Sequence, residues 1–285
     1  MYESFYGFSE KPFSLTPDPR FLYLSRAHRD ALAYLTYGLA EHKGFLVVVG
    51  EAGTGKTTLA RAVAEKFQDS TRLSFVLTTK LSMKQLLTMA MHDLGLRTKG
   101  LDKAGLLIAF NEYLLEQLQQ KHSVVLIVDE AQNLSRTVLE ELRMLSNLET
   151  SRDKLVQIVL LGQPELLVML EGRDLRQLRQ RVPGIALLQP LGPDDVGPYL
   201  ENRLRVAGSG RVRLGPGTGR EVHRYTGGIP RLINMIADRM LLLGYVDGKE
   251  ELDLGLVVDA WKDLGRPAPV TAADASPAEA YEPHL

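Results

Sequence analysis

The sequence predicts an α/β protein, with a parallel five-stranded sheet wrapped by helices and then a small all-helical domain. Three observations predict it. Short runs that are apolar on both faces alternate with amphipathic helical segments between residues 26 and 188, and strands buried on both faces belong to parallel sheets. A glycine-rich turn, Gly50-Glu51-Ala52-Gly53-Thr54-Gly55-Lys56-Thr57, joins the first of these runs to the helix after it. Beyond Pro190 the apolar runs stop and only helix-period segments remain.

The elements follow in order. The first 43 residues carry 9 of the 19 aromatic residues, together with Pro12, Pro17 and Pro19. Closely spaced prolines oppose a helix, so an extended arm is expected to about Ser25, its rings packed under the sheet, and then a helix over Arg26–Glu41. Gly44–Gly50 reads as a buried strand, Thr57–Phe67 as a helix, Leu73–Thr79 as a strand and Ser82–Leu94 as a helix. Asp102–Gln120 is a long helix with Leu107, Phe110, Leu114 and Leu118 on one stripe. Val124–Asp129 is a strand, and Ser135 caps a helix carrying Val138, Leu142, Leu145 and Leu148. Val156–Leu161 and Ile185–Leu188 complete the strands. Helices are then expected over Asp194–Val206, Thr218–Tyr225, Arg231–Leu243 and Leu254–Asp263. This gives an arm and first helix (1–43, part of the same module as the sheet), a sheet domain (44–190), a helical domain (191–264) and a Pro/Ala-rich tail (265–285) expected to be disordered.

Composition narrows the function classes. With 34 Lys+Arg against 35 Asp+Glu the net charge is -1, so no global basic field draws the chain to nucleic acid or anionic lipid. It has no cysteine, which excludes disulfides, thiolate zinc sites and cysteine nucleophiles. The N-terminus lacks the basic start and apolar block of a secretory signal. The apolar runs FLVVV, VVLIV and IVLL fall far short of the ~20 residues of a membrane span. The histidines, His28, His42, His92, His122, His223 and His284, are scattered, and none is paired at metal-ligand spacing.

The chemistry concentrates in five places. The glycine-rich turn matches the phosphate-binding loop GxxxxGK[ST], between the expected strand and helix that this motif requires. Its glycines let successive N–H groups face one anion, and the helix that starts there adds its positive end. Gly50 through Thr57, with Thr58, are therefore the expected nucleotide-binding residues, Lys56 for the β- and γ-phosphates and Thr57 as a magnesium ligand. The strand VVLIVDE ends in two carboxylates at its C-terminal tip, where parallel sheets bind ligands. Asp129 is expected to hold the magnesium and Glu130 to polarise an attacking water. Gln163, at the end of VQIVLLG, either places that water beside the γ-phosphate or caps the turn before Pro164. Arg173, Arg176, Arg179 and Arg181 precede Pro183; Arg181, then Arg179, is the candidate to reach a neighbouring subunit's γ-phosphate, the alternative being a solvated helix face. Arg231 follows Pro230 at a helix start, where the helix dipole opposes a positive charge; it serves a phosphate or pairs with a nearby carboxylate. The stretch 203–231 has seven arginines and only Glu221 as an acid, which fits either a nucleic-acid surface or a solvated loop. One phosphate loop in one chain implies that a second copy completes the pocket, and the absence of an NKxD motif favours ATP over GTP.

Together these parts resemble an AAA+ ATPase: phosphate loop, acidic strand tip, polar strand tip, arginines before the last strand and a G-x-P-R helical lid. The runs FYGFSEKPFSLTPDPRFLYLSRAHRDALAYLTYGL, GEAGTGKTT, VDEAQNLS, LLGQPEL, LRQLRQRV and GGIPRLIN narrow the likeness. They resemble the ATPase module of the ExeA/GspA type, associated with general secretion and envelope assembly, over roughly residues 2–264. The resemblance implies a P-loop AAA+ sheet with a helical lid, ATP and Mg2+ as ligands, and hydrolysis of ATP to ADP and phosphate. It also implies a homo-oligomer (ring or filament), an envelope or secretion-system partner, and a cytoplasmic location with recruitment to the inner membrane by that partner. Longer members continue into a transmembrane helix and a peptidoglycan-binding region that this sequence does not contain. The same core occurs in transposition regulators of the TnsC/MuB kind, so an ATP-switched DNA-binding regulator is the alternative.

Overall fold

Fifteen residues of uninterrupted helix, α2 (Arg26–Ala40), lead into the first strand, β1 (Phe45–Gly50). The structure, a computed structural model, describes residues 1–77, 80–150, 154–208 and 211–266. It divides into two compact units: Thr16–Gln189, and Met1–Leu15 together with the chain from Pro190 onward. The tail expected to be disordered from 265 lies outside the described residues from position 267, as do Thr78 and Thr79 of the expected second strand.

In the unit Thr16–Gln189, β1 is followed by α3 (Lys56–Phe67), β2 (Thr71–Leu77), α4 (Met83–Asp93) and α5 (Lys103–Gln119). Then come β3 (Ser123–Asp129), α6 (Arg136–Leu145), β4 (Gln157–Gly162), α7 (Pro164–Glu171), the single turn α8 (Arg176–Arg179) and β5 (Ile185–Leu188). The five strands form one parallel sheet in the order β2-β3-β4-β1-β5. Residues along a strand alternate between faces, and the core divides accordingly. Phe45, Val47 and Val49 join Leu126, Val128, Ile158 and Leu160 in one apolar cluster with α4, α5 and α6. Leu46 and Val48 join Val125, Ile127, Val159 and Leu161 in the other, with α2 and α3. Every residue of β1 and β4 is buried, which is why they read as unbroken apolar runs.

Two helix stripes differ from the expectation. On α5 the buried positions are Leu106, Phe110, Leu114 and Gln117, while Leu107 and Leu118 sit at the margin. The helix is apolar around most of its girth, so periodicity alone left its rotation undetermined by one residue. On α6, capped as expected by Ser135, Leu139 takes the inward place assigned to Leu148, which follows the helix end.

The second unit contains α9 (Val196–Val206), α10 (Thr218–Thr226), α11 (Pro230–Val246) and α12 (Leu254–Asp263). A two-residue parallel pair, β6 (Arg213–Leu214) with β7 (Glu251–Leu252), adds a short ladder to a domain expected to be all helix. The arm also departs from expectation. Residues Tyr2–Tyr6 form a helix, α1, closed by Gly7 in the left-handed conformation, and Pro19–Phe21 make a 3-10 turn capped by Asp18. The rings of α1 pack within their own unit, against α11. Tyr6 is fully buried and its hydroxyl donates to the carbonyls of Leu241 (3.2 Å) and Lys249 (3.0 Å). Tyr2 donates to the Asp238 carboxylate, and Phe5 meets Tyr245 edge-on at 5.4 Å. The aromatic spacing demands burial, but it does not say against which apolar face; α11 supplies that face. Arg203, buried on α9, donates to the carbonyls of Pro12 (2.6 Å) and Ser14 (3.2 Å). It therefore ties down the arm and is not part of any arginine surface.

Candidate functional site

All five strands run parallel, so their C-terminal tips share one edge of the sheet. β4 lies between β1 and β3, which separates the tips of β1 and β3 by about 10 Å, two strand spacings. The glycine-rich loop leaves the tip of β1 and closes this gap. Gly53 and Gly55 have φ of 82° and 100°, values that side chains with a Cβ rarely adopt. At Gly50 a Cβ would lie 2.4 Å from the Leu188 carbonyl of β5, so only glycine lets the loop start this close to its neighbour. Thr54 is buried, with its hydroxyl on the Glu51 carbonyl at 2.8 Å.

Lys56, only 5% exposed, turns back over the loop and donates to the carbonyls of Gly50 (2.7 Å) and Glu51 (3.0 Å). Burial pulls its pKa below the usual lysine value, and the carboxylates of Glu130, Asp129, Glu51 and Glu165 partly oppose that shift. An ammonium has three N–H donors, so the two loop carbonyls leave one for an anion. The Thr57 hydroxyl donates to the Asp129 carboxylate, which is buried at the tip of β3. This pair is an all-oxygen donor set, and Mg2+ prefers oxygen ligands with one or two from the protein beside substrate phosphates. The residues therefore fit a phosphate chain with Mg2+. Thr58 lies half-buried one position further along α3.

Glu130 has φ 52°, a left-handed conformation that is costly for a residue with a Cβ. Its backbone N–H donates to Asp129 Oδ1 at 2.8 Å. Its Oε2 accepts from Gln163 Nε2 at 3.0 Å and from Gln132 Nε2 at 2.5 Å, while Gln132 Oε1 accepts the Gln163 backbone N–H at 3.1 Å. The two strand tips are thus coupled through Glu130. Gln163 precedes Pro164 of α7, but its side chain makes no capping bond; it turns to Glu130. Gln132 was not singled out by the sequence reading. Its only signal there is its place in VDEAQNLS.

The structure brings Lys56, Thr57, Asp129, Glu130 and Gln163 to one edge. Arg179 and Arg181 are exposed on the chain before β5. Arg179 donates to the Val182 carbonyl at 3.2 Å, and neither arginine bonds to the loop or the acidic tip. Arg231 belongs to the other unit. It is exposed, directly after Pro230 of α11, and among the described residues it forms no ion pair, so the nearby-carboxylate reading is not what the structure contains. Sequence reasoning also missed His28. It is buried on α2 and bonded to Ser25 and to the loop itself.

A parallel sheet with a glycine loop on one central strand and carboxylates on the tip of another defines a P-loop protein of the AAA class, and the AAA domain family model matches residues 39–170. Within that class the chain is similar to General secretion pathway protein A of Aeromonas hydrophila, 43% identical over 256 residues. The match takes in 88% of this chain and 46% of that protein, so the chain spans about half the length of the curated relative it matches. The likeness to the ExeA/GspA type drawn from the sequence runs to this relative. Among solved structures, the Aeropyrum pernix ORC2 protein (ADPNP-ADP complexes) is 18% identical with a TM-score of 0.69, covering 90% of this chain and 72% of that one. Cdc6p from Pyrobaculum aerophilum is 18% identical with a TM-score of 0.70, covering 88% and 70%. At this identity the two share a fold with the chain. Among the described residues no helix is long and apolar enough to cross a membrane.

Proposed function

We propose that this chain binds and hydrolyses ATP, and that nucleotide joins copies of it into a homo-oligomer, ring or filament, which powers or gates assembly of a secretion or envelope complex. The observation that carries the reading is the bond from the Thr57 hydroxyl to the Asp129 carboxylate. It joins the phosphate loop to the acidic strand tip, beside a buried lysine.

Each role follows from the residue's surroundings. The loop residues Gly50 to Thr58 present N–H groups to the phosphates. Lys56 turns the N–H that its two loop carbonyls leave over to the β- and γ-phosphates. Thr57 and Asp129 hold Mg2+, which when bound neutralises phosphate charge. Glu130 accepts the proton side of the attacking water, its carboxylate aimed by Gln132 and Gln163. Gln163 also sits where it senses the water and the outermost phosphate. Arg181, or Arg179, reaches the nucleotide of a neighbouring copy, and Arg231 serves a phosphate. The identity to General secretion pathway protein A supports a secretion or envelope partner, and with it a cytoplasmic location with recruitment to the inner membrane through that partner.

Titration with ATP and Mg2+ tests the reading. The native chain binds, and Lys56→Ala loses tight binding; native affinity in Lys56→Ala refutes the loop assignment. Duplex DNA bound only with ATP, and released steeply as salt rises, would instead favour a DNA-binding regulator.

A further inference from the structure

The imidazole of His28 lies directly under the phosphate loop. His28 is 3% exposed, on the first turn of α2. Its Nε2 is 3.1 Å from the Thr54 carbonyl oxygen, and its Nδ1 is 2.7 Å from the hydroxyl of Ser25, the residue that caps the helix. A Cβ built on Gly55 would stand 3.4 Å from the same Nε2. A carbonyl oxygen carries no proton, so the proton of the Thr54 contact belongs to Nε2. In the neutral ring Nδ1 then accepts from the buried Ser25 hydroxyl, which in turn accepts the His28 backbone N–H at 3.4 Å.

We propose that His28 is a positioning residue for the phosphate loop, setting the direction of the Gly55 N–H by anchoring the Thr54 carbonyl. The inference rests on the nucleotide reading above. The 54–55 peptide is planar and trans, so its C=O and N–H point in opposite directions. Holding the oxygen on the α2 side turns the Gly55 N–H to the other side. Without the anchor, glycine at 55 makes rotation of this peptide inexpensive, because Gly tolerates either sign of φ. A rotated peptide presents an oxygen where an anion needs a donor. Ser25 orders the ring by taking up Nδ1. This gives the segment before β1 a role at the site: the first turn of α2 reaches the loop and stiffens the 54–55 peptide, which Gly55 by itself cannot stiffen.

The test compares His28→Ala, His28→Gln and His28→Asn with the native chain and with Lys56→Ala. A glutamine amide nitrogen reaches about as far as Nε2, whereas an asparagine amide reaches only about as far as Nδ1. Two measurements are made: hydrogen exchange at the Gly55 amide in nucleotide-free protein, and ADP affinity by calorimetry, with thermal unfolding followed alongside. The expected result is faster exchange and roughly tenfold weaker ADP binding in His28→Asn and His28→Ala, the loss of about one charge-independent hydrogen bond. His28→Gln recovers to within about threefold of native. Should His28→Ala fail to fold, the Gln and Asn pair still decides the matter. Equal behaviour of these two variants in both measurements overturns the proposal and makes His28 a packing residue. If Lys56→Ala binds ADP like the native chain, the nucleotide reading fails. If Lys56→Ala loses ADP while all His28 variants keep it, only the His28 inference fails.

Discussion

Glu130→Gln is the sharpest perturbation of the proposed chemistry, because the structure predicts that it leaves the fold nearly intact. Glu130 Oε2 accepts from both Gln132 and Gln163. A glutamine carbonyl oxygen has two lone pairs and can accept both. A hydrogen bond to a charged acceptor contributes about 1.5–3 kcal/mol and one to a neutral acceptor about 0.5–1.5 kcal/mol. Each contact therefore weakens by about 1 kcal/mol, and partial exposure of Glu130 reduces the sum to about 1 kcal/mol. In a unit of this size that lowers Tm by about 3 °C. Turnover should fall far more, by about 10²–10⁴-fold, the usual span for removing a general base, while ATP still binds and stabilises the oligomer. Phosphate release, ATP titration and thermal unfolding on the same preparation separate these effects. Unaltered turnover would refute the assignment of Glu130, and loss of folding would refute the account of its contacts. The backbone gives an internal control. Glu130→Gly relieves the left-handed strain at φ 52°, so it should be about 1 kcal/mol more stable than Glu130→Ala.

Lys56 makes a prediction in pH. Its pKa is lowered in the folded state, so between that value and the ordinary lysine pKa the unfolded chain binds more protons, and native stability contributed by this group rises with pH. The stability of the native chain relative to Lys56→Met should therefore move in favour of the native chain on approach to pH ~10.5, as denaturant titrations at a series of pH values will record; a difference independent of pH contradicts the burial argument. Gly50→Ala drives a Cβ to 2.4 Å from the Leu188 carbonyl and should cost about 1–3 kcal/mol, read by chemical denaturation; a neutral effect would mean that β1 and β5 separate freely at their tips. In the helical unit, Gly228→Ala meets both a φ of 75° and the Leu191 carbonyl at 1.9 Å, so its cost should exceed that of Gly50→Ala. Finally, mixing Arg181→Ala subunits with Glu130→Gln subunits should restore part of the ATPase rate, since each supplies what the other lacks; no recovery at any ratio argues against an arginine acting between copies.

How much was legible in the chain follows from the range of the forces involved. The loop Gly50–Thr57 was readable because its requirements are local: left-handed glycines, a strand before it and a helix after it. The strands were readable because burial on both faces removes the polar alternation from β1, β3 and β4. Asp129 and Gln163 were readable as residues at strand ends, a one-dimensional property. What tertiary structure decided is which ends meet. Only the strand order, with β4 beside β3, sets Gln163 on the Glu130 carboxylate and on Gln132, and no periodicity encodes strand order. The rotation of α5 came from packing, because a helix with apolar residues around most of its girth leaves its inward face open. The aromatic arm needed an apolar partner, and only the fold identified α11 as the partner of Tyr2, Phe5 and Tyr6. His28 shows the same limit at the site itself: a lone histidine in a helix carries no signal until the chain brings a loop carbonyl, 26 positions away, to within reach of its ring.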